Sequence, residues 1–292
     1  MKRRRTRGQR GMILINVLVI VMLASAVLAV MLADEDDNVD RSYALRSAAQ
    51  AMATARGAEL SAIAALRRDL ASGTTSDTLT EPWANIADRS ARIPGGTFAF
   101  AVTDAQARFN INNLMRGDAA GRDNFARIAA SAALPAETAE TVVRLLPFAG
   151  PLDSLAQLRM VGVNDAQLRR LALLCTALPA PSEVNANTAP EALLTIMFGN
   201  EATARSVVSM RARSGGLTRE NLTAGSILLP PGIGISSQYF WSRAKVTMGD
   251  TSQQLTSLLV RRQQDGKPEV IAIRRWRGAA PVEVPPLADQ SS

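Results

Sequence analysis

The chain has 292 residues, 47% hydrophobic and 20% charged, which excludes a mainly disordered polypeptide and allows one large domain or two small ones. Its formal charge of +7 is local: Lys2, Arg3, Arg4, Arg5, Arg7 and Arg10 crowd residues 1–11, leaving 27 bases against 26 acids from Met12 onward. With no histidine and a single Cys175, imidazole catalysis, intrachain disulfides and multi-cysteine zinc sites are excluded, and an enzyme is the weaker class.

Met12 to Ala33 is apolar apart from Asn16 and Ser25. As a helix it reaches roughly 33 Å, enough to cross a hydrocarbon core of about 30 Å. Bases precede it and Asp34, Glu35, Asp36, Asp37 and Asp40 follow, which predicts a cytoplasmic N-terminus and a body on the far side of the membrane. A cleaved secretory signal, with a poor cut site around Ala26–Ala29, and a plain signal anchor both compete for this segment.

From Ser42 to Leu70 there is no proline and one glycine, Gly57, so the helix is expected to continue, about 90 Å in all. Leu45, Ala49, Met52, Ala55, Ile63, Leu66 and Leu70 supply the face that should pack on a domain. Ser72–Thr80 reads as a loop. Pro94-Gly95-Gly96 turns the chain into a half-buried strand, Thr97–Thr103.

Asp118–Ala133, Ala136–Leu146, Ser154–Met160 and Asp165–Ala177 then read as short helices broken by Pro135, Pro147, Pro151 and Pro179. Asn187 or Thr188 is expected to cap a helix with Pro190 in its first turn, running to Met197, and Glu201–Arg213 follows. Sheet returns near Ser237, with Phe240, Ala244, Val246 and Met248 on one face. Gln253–Arg262 and Glu269–Trp276 flank the hairpin signal Asp265-Gly266. The last residues, rich in proline and acid, read as a loose tail.

The junction of Gly11 with Met12 resembles the leader of type IV pilins and pseudopilins, cut after the glycine by a prepilin peptidase. Glycine lets a membrane protease approach the backbone. Most pilins carry glutamate at the fifth mature position, where this chain has Asn16, and one minor pseudopilin class commonly lacks that acid. Two body segments resemble that class, the K-type minor pseudopilin of type II secretion. One is Thr103–Leu114, with Asp104, Arg108, Asn110 and Asn112. The other is Val184–Leu194, with Asn185, Asn187 and Thr188. Ser237-Gln238-Tyr239-Phe240 is a third, weaker match.

The resemblance implies an α+β, pilin-like fold: a long N-terminal transmembrane helix and an antiparallel sheet, interrupted by an inserted all-helical, helix-hairpin-helix-like domain. It divides the chain into a leader (1–11), a span (12–33), a first pilin-like part (34–104), the insertion (105–215), a C-terminal sheet (216–280) and a flexible tail (281–292). It further implies N-methylation of Met12, an inner-membrane location and no enzymatic activity. The implied partners are prepilin peptidase, I- and J-type minor pseudopilins and the assembly platform, with a place at the pseudopilus tip and no nucleic acid. Calcium is allowed by the resemblance, with no ligands assigned. From the residues alone, the paired asparagines suit tight turns at the insertion's entry and exit.

A second resemblance runs through the same region. Val184–Arg205, with a further hairpin at Gly162-Val163-Asn164, is similar to the helix-hairpin-helix of competence-type DNA-binding proteins. Those use Gly-x-Gly amides to hold a phosphate, and here asparagine replaces the second glycine at Asn164 and Asn200. Arg261-Arg262 and Arg274-Arg275 with Trp276 suit either a basic–aromatic surface or the solvated face of a hairpin. Cys175 lies among leucines and reads as core.

Overall fold

A computed structural model describes residues 8–287, with the backbone alone at residues 8–13, 32–34, 36–37 and 87–90. Most of the leader (1–7) and the end of the expected tail (288–292) lie outside the described residues. Packing divides the chain into two units, one up to Gln50 and one from Ala51 onward. In the first, α1 (Gly8–Ala71) carries one stretch among the described residues long and apolar enough to cross a membrane, Leu14–Met31, with mean hydropathy 2.8 and every side chain exposed. Asn16 is exposed within that stretch.

The second unit begins with the rest of α1. The expected face is corrected here: Leu45 and Ala49 are exposed, whereas Ala51, Ala55, Ala58, Ala62 and Leu66 are buried. Four of those five are alanines, whose small side chains let a helix approach a sheet closely. The sheet is five-stranded and antiparallel, in the order β1 (Ala87–Ile93), β2 (Gly96–Asp104), β7 (Tyr239–Met248), β8 (Thr251–Gln264), β9 (Lys267–Arg277). Strand β1 was not expected. It pairs with β2 through a bulge between Arg89 and Ala91, and that irregularity disguises its alternation.

Phe240, Ala244, Val246 and Met248 share a core with the alanines of α1, as their spacing predicts. The opposite face of β7 is buried too: Tyr239 and Trp241 pack with Leu258 and Val284. Val284 belongs to the segment read as a loose tail. Residues 281–287 are instead docked, with Glu283 and Val284 at 1% and 6% exposure, because the far side of the sheet needs a cover. The β8–β9 turn falls at Asp265-Gly266, both at positive φ (51° and 73°), the geometry that sequence pair favours.

Between β2 and β7 lie β3 (Phe109–Asn110), α2 (Ala119–Ser131), α3 (Ala136–Ala149), α4 (Asp165–Leu174), β4 (Cys175–Thr176), β5 (Val184–Asn185), α5 (Glu191–Phe198), α6 (Glu201–Ser214), α7 (Arg219–Ala224) and β6 (Ile233–Gly234), with 3-10 turns at Ile111–Arg116 and Leu155–Val161. They share a core of their own around Phe125, Ile128, Leu155, Leu171 and Leu193. Three expectations are corrected. Pro147 lies inside α3, tolerated because it forfeits only one bond in the last turn. The segment to Ala177 leaves the helix at Leu174, and Cys175-Thr176 pairs in parallel with Phe109-Asn110. Pro190 stands at the start of α5, with no side-chain cap. Asn187 and Thr188 are released for the work described next.

Candidate functional site

The two motif segments, some 80 residues apart, meet where β2 enters the helical block. The carboxylate of Asp104 ends β2 and is 4% exposed. One oxygen accepts from the Gln106 amide at 2.7 Å. The other accepts from Asn185 Nδ2 (2.9 Å), Thr188 Oγ1 (2.6 Å) and Ser237 Oγ (2.7 Å). Burial pushes the acid above its ordinary pKa, and these donors pull it part of the way back. Gln106 extends the junction. Its Oε1 accepts from the amides of Gln238 and Tyr239, and its Nε2 donates to the Glu183 carbonyl. The third, weak match is thereby tied to the first two.

The same local device recurs three times. Asp104, Asn110 and Asn185 each accept from the amide two residues on, an Asx turn that aims the next side chain back into the protein. The second asparagine of each pair then clamps a distant segment. Asn112 donates to the Leu152 and Leu178 carbonyls at 2.9 and 2.8 Å and accepts from the Leu152 amide at 2.9 Å. Asn187 donates to the Leu217 carbonyl at 3.1 Å and accepts from the Leu217 amide at 2.5 Å. Asn113, outside the expected set, does the same to Ser182. Arg108 donates to the carbonyls of Glu283 (2.8 Å) and Leu173 (3.3 Å). Since Asp104, Asn110 and Asn185 spend their oxygens on N–H and O–H donors, they do not fit a calcium shell of six to eight oxygens.

A second buried network has no signal in local sequence. Arg261, 7% exposed, grips Asp69 at 2.5 Å and also Asp77, donates to the Ser237 carbonyl at 2.9 Å and lies 5.0 Å above the Phe240 ring. It thus joins the end of α1, the following loop and β8, and it is neither a basic surface nor a solvated face. The carboxylates of Asp69, Asp77 and Glu81 lie within 4.8 Å of one another, and burial is the main cause pushing Glu81 up to about 7. On α1, buried Glu59 receives Arg275 at 2.9 Å and the hydroxyl of Ser257. Burial opposes ionisation there, but these partners outweigh it and hold its pKa low. Arg262 pairs with Glu269, Arg274 with Asp153, and Trp276 packs on Trp241 with ring centroids 5.6 Å apart. Cys175 is fully buried, its thiol pushed up to about 12.

The hairpins are present as connections. Gly199 ends α5 in the left-handed region and Asn200 caps α6; Gly162 and Asn164 do the same before α4. In each, the asparagine's own oxygen takes the helix-start amide that a phosphate would need.

An apolar N-terminal helix, an antiparallel sheet on its continuation and a clamped helical insertion form a mixed α+β, pilin-like architecture. The chain matches a solved structure described as the GspK-GspI-GspJ complex from the type 2 secretion system of enterotoxigenic Escherichia coli. The TM-score is 0.63 at 19% identity, covering 82% of this chain and 100% of that one. By sequence it is similar to the type II secretion system protein K of Pseudomonas aeruginosa, 29% identical over 94% of this chain and 96% of that protein. No protein-family model matches. The K-type resemblance carried by the motifs therefore holds along nearly the whole chain. It supports a minor pseudopilin of type II secretion and fits a single-pass inner-membrane protein.

Proposed function

We propose that the chain is a non-enzymatic minor pseudopilin that starts the type II secretion pseudopilus and stays at its tip. The observation that carries this reading is Asn16, exposed on the apolar helix where pilins hold glutamate, in a chain similar to protein K from end to end. In pilin-like filaments the fifth-position glutamate pairs with the free amine of the subunit above. The pair matters because a lone charge in hydrocarbon costs at least about 2.5 kcal/mol. After cleavage between Gly11 and Met12, this chain offers an amine to the next subunit's glutamate but no carboxylate of its own. It can be followed and cannot easily follow. The helical block adds bulk that would obstruct a subunit placed above it.

In this reading prepilin peptidase removes residues 1–11 and Met12 is methylated. The N-terminus is cytoplasmic, and I- and J-type minor pseudopilins join the chain on the assembly platform. Mass spectrometry of protein from cells with the peptidase should find methylated Met12 at the N-terminus, and Gly11→Arg should abolish cleavage. An intact Met1 in wild-type protein would overturn the processing. Gold-labelled chain should mark one end of sheared pseudopili, and periodic decoration of the shaft would overturn the tip assignment.

A further inference from the structure

Beside the Asp104 junction lies a cavity of about 920 Å³. Its walls are largely apolar, from residues such as Trp83, Val102, Leu174 and Pro190, yet three guanidinium groups, Arg108, Arg170 and Arg211, line it. The one lining carboxylate, Asp104, is saturated by its four donors. Arg211 commits Nη1 to the carbonyls of Ala186 and Ala189, at 2.8 and 2.7 Å. Arg108 is likewise anchored on two carbonyls. Among the described residues, Arg108 Nη2 and Arg211 Nε and Nη2 have no hydrogen-bond partner, and Arg170 has no ion pair.

Elsewhere in the fold, inward-facing arginines meet acids, as Arg261 meets Asp69 and Arg275 meets Glu59. Here burial lowers the pKa of both Arg108 and Arg211, and no carboxylate touches either. Held cations without counter-charges are costly to desolvate, and their free fork edges match the geometry of a carboxylate.

The backbone narrows the class of ligand. Strand β1 stops pairing with β2 at Ala87–Ala101, while β2 runs on to Asp104 against β7. Val102, Thr103 and Asp104 therefore have no strand on one side, and all three line the cavity. An uncovered strand edge is the feature that takes up an extended chain. We propose that this cavity is a docking site for an extended peptide segment of another protein, seated along the β2 edge, with an acidic side chain bound by the three arginines and small aliphatic residues on the apolar walls. The proposal concerns a site distinct from membrane anchoring and processing, and it holds or fails independently of them.

The test uses the full chain in lipid nanodiscs and fluorescence anisotropy of a labelled hexapeptide, acetyl-Ala-Val-Val-Glu-Val-Ala-amide. This probe should bind about tenfold or more tighter than the version with glutamine in place of glutamate, the scale of one charge-assisted hydrogen bond. N-methylating the backbone amides on alternate residues should weaken it further. Arg170 is exposed, so Arg170→Glu should leave the fold intact while weakening the probe about tenfold. Arg211→Gln should do the same, with circular dichroism reporting whether the fold survives. Equal binding of the glutamate and glutamine peptides, no binding of either, or indifference to Arg170→Glu would each overturn the proposal. So would oleate binding that is lost in Arg170→Glu while the peptide fails to bind.

Discussion

Asn112 is the residue at which the clamp can be tested most sharply. It is 1% exposed, and its amide makes three hydrogen bonds to the main chain of Leu152 and Leu178. Asn112→Ala strands two carbonyls and one N–H inside the helical core. An unmade bond to a buried group costs about 1–3 kcal/mol, so after partial relief by entering water the loss is about 3–6 kcal/mol. Cys175 provides the assay. It is the only cysteine, fully buried and unreactive while its thiol titrates near 12, and it lies three residues before Leu178. Its labelling by a maleimide in mild urea therefore counts openings of this core. At tenfold per about 1.4 kcal/mol, Asn112→Ala should label roughly 10² to 10⁴ times faster than wild type. Asn112→Asp should be at least as fast, because a carboxylate has no N–H to give two carbonyls. Labelling within about threefold of wild type, or an aspartate variant better protected than the alanine one, would refute the clamp.

Glu81 sets a pH dependence. The folded protein holds this proton up to about 7 while the unfolded chain releases it near 4.5, so its contribution to stability declines as pH rises between those values and is flat above them. Glu81→Gln should flatten that slope by about 1–2 kcal/mol after allowance for solvent, read as urea midpoints from pH 4.5 to 7.5; parallel curves for the two proteins would refute it. A Cβ on Gly96 would fall 1.7 Å from the Thr247 carbonyl oxygen. Gly96→Ala should therefore break the first β2–β7 pairs and lower the melting temperature sharply; an unchanged melting temperature counts against the register. Gly57, exposed on α1 with open space around it, should behave oppositely, with Gly57→Ala adding about 0.5–1 kcal/mol.

What sequence alone determined about this protein is whatever depends on neighbours along the chain. The membrane span is a run of apolar residues, the β8–β9 turn is an Asp-Gly pair, and the alternation at Phe240 to Met248 follows from the strand period. The Asx turns at Asp104, Asn110 and Asn185 belong to this class, since each closes on the residue two positions later. Motif order alone also carried the resemblance to protein K. What only the tertiary structure decided is every partner far away in sequence. Asp104 meets Thr188 and Ser237, Arg108 meets Glu283, and Arg261 meets Asp69 and Asp77. The pattern of Arg261-Arg262 could not distinguish a buried ion pair from a surface one, because desolvation depends on what covers the residue. The docking of residues 281–287 and the alanine face of α1 were hidden for the same reason. Polar composition and small side chains read as solvent-facing until a sheet with two buried faces requires a close helix on one side and a cover on the other.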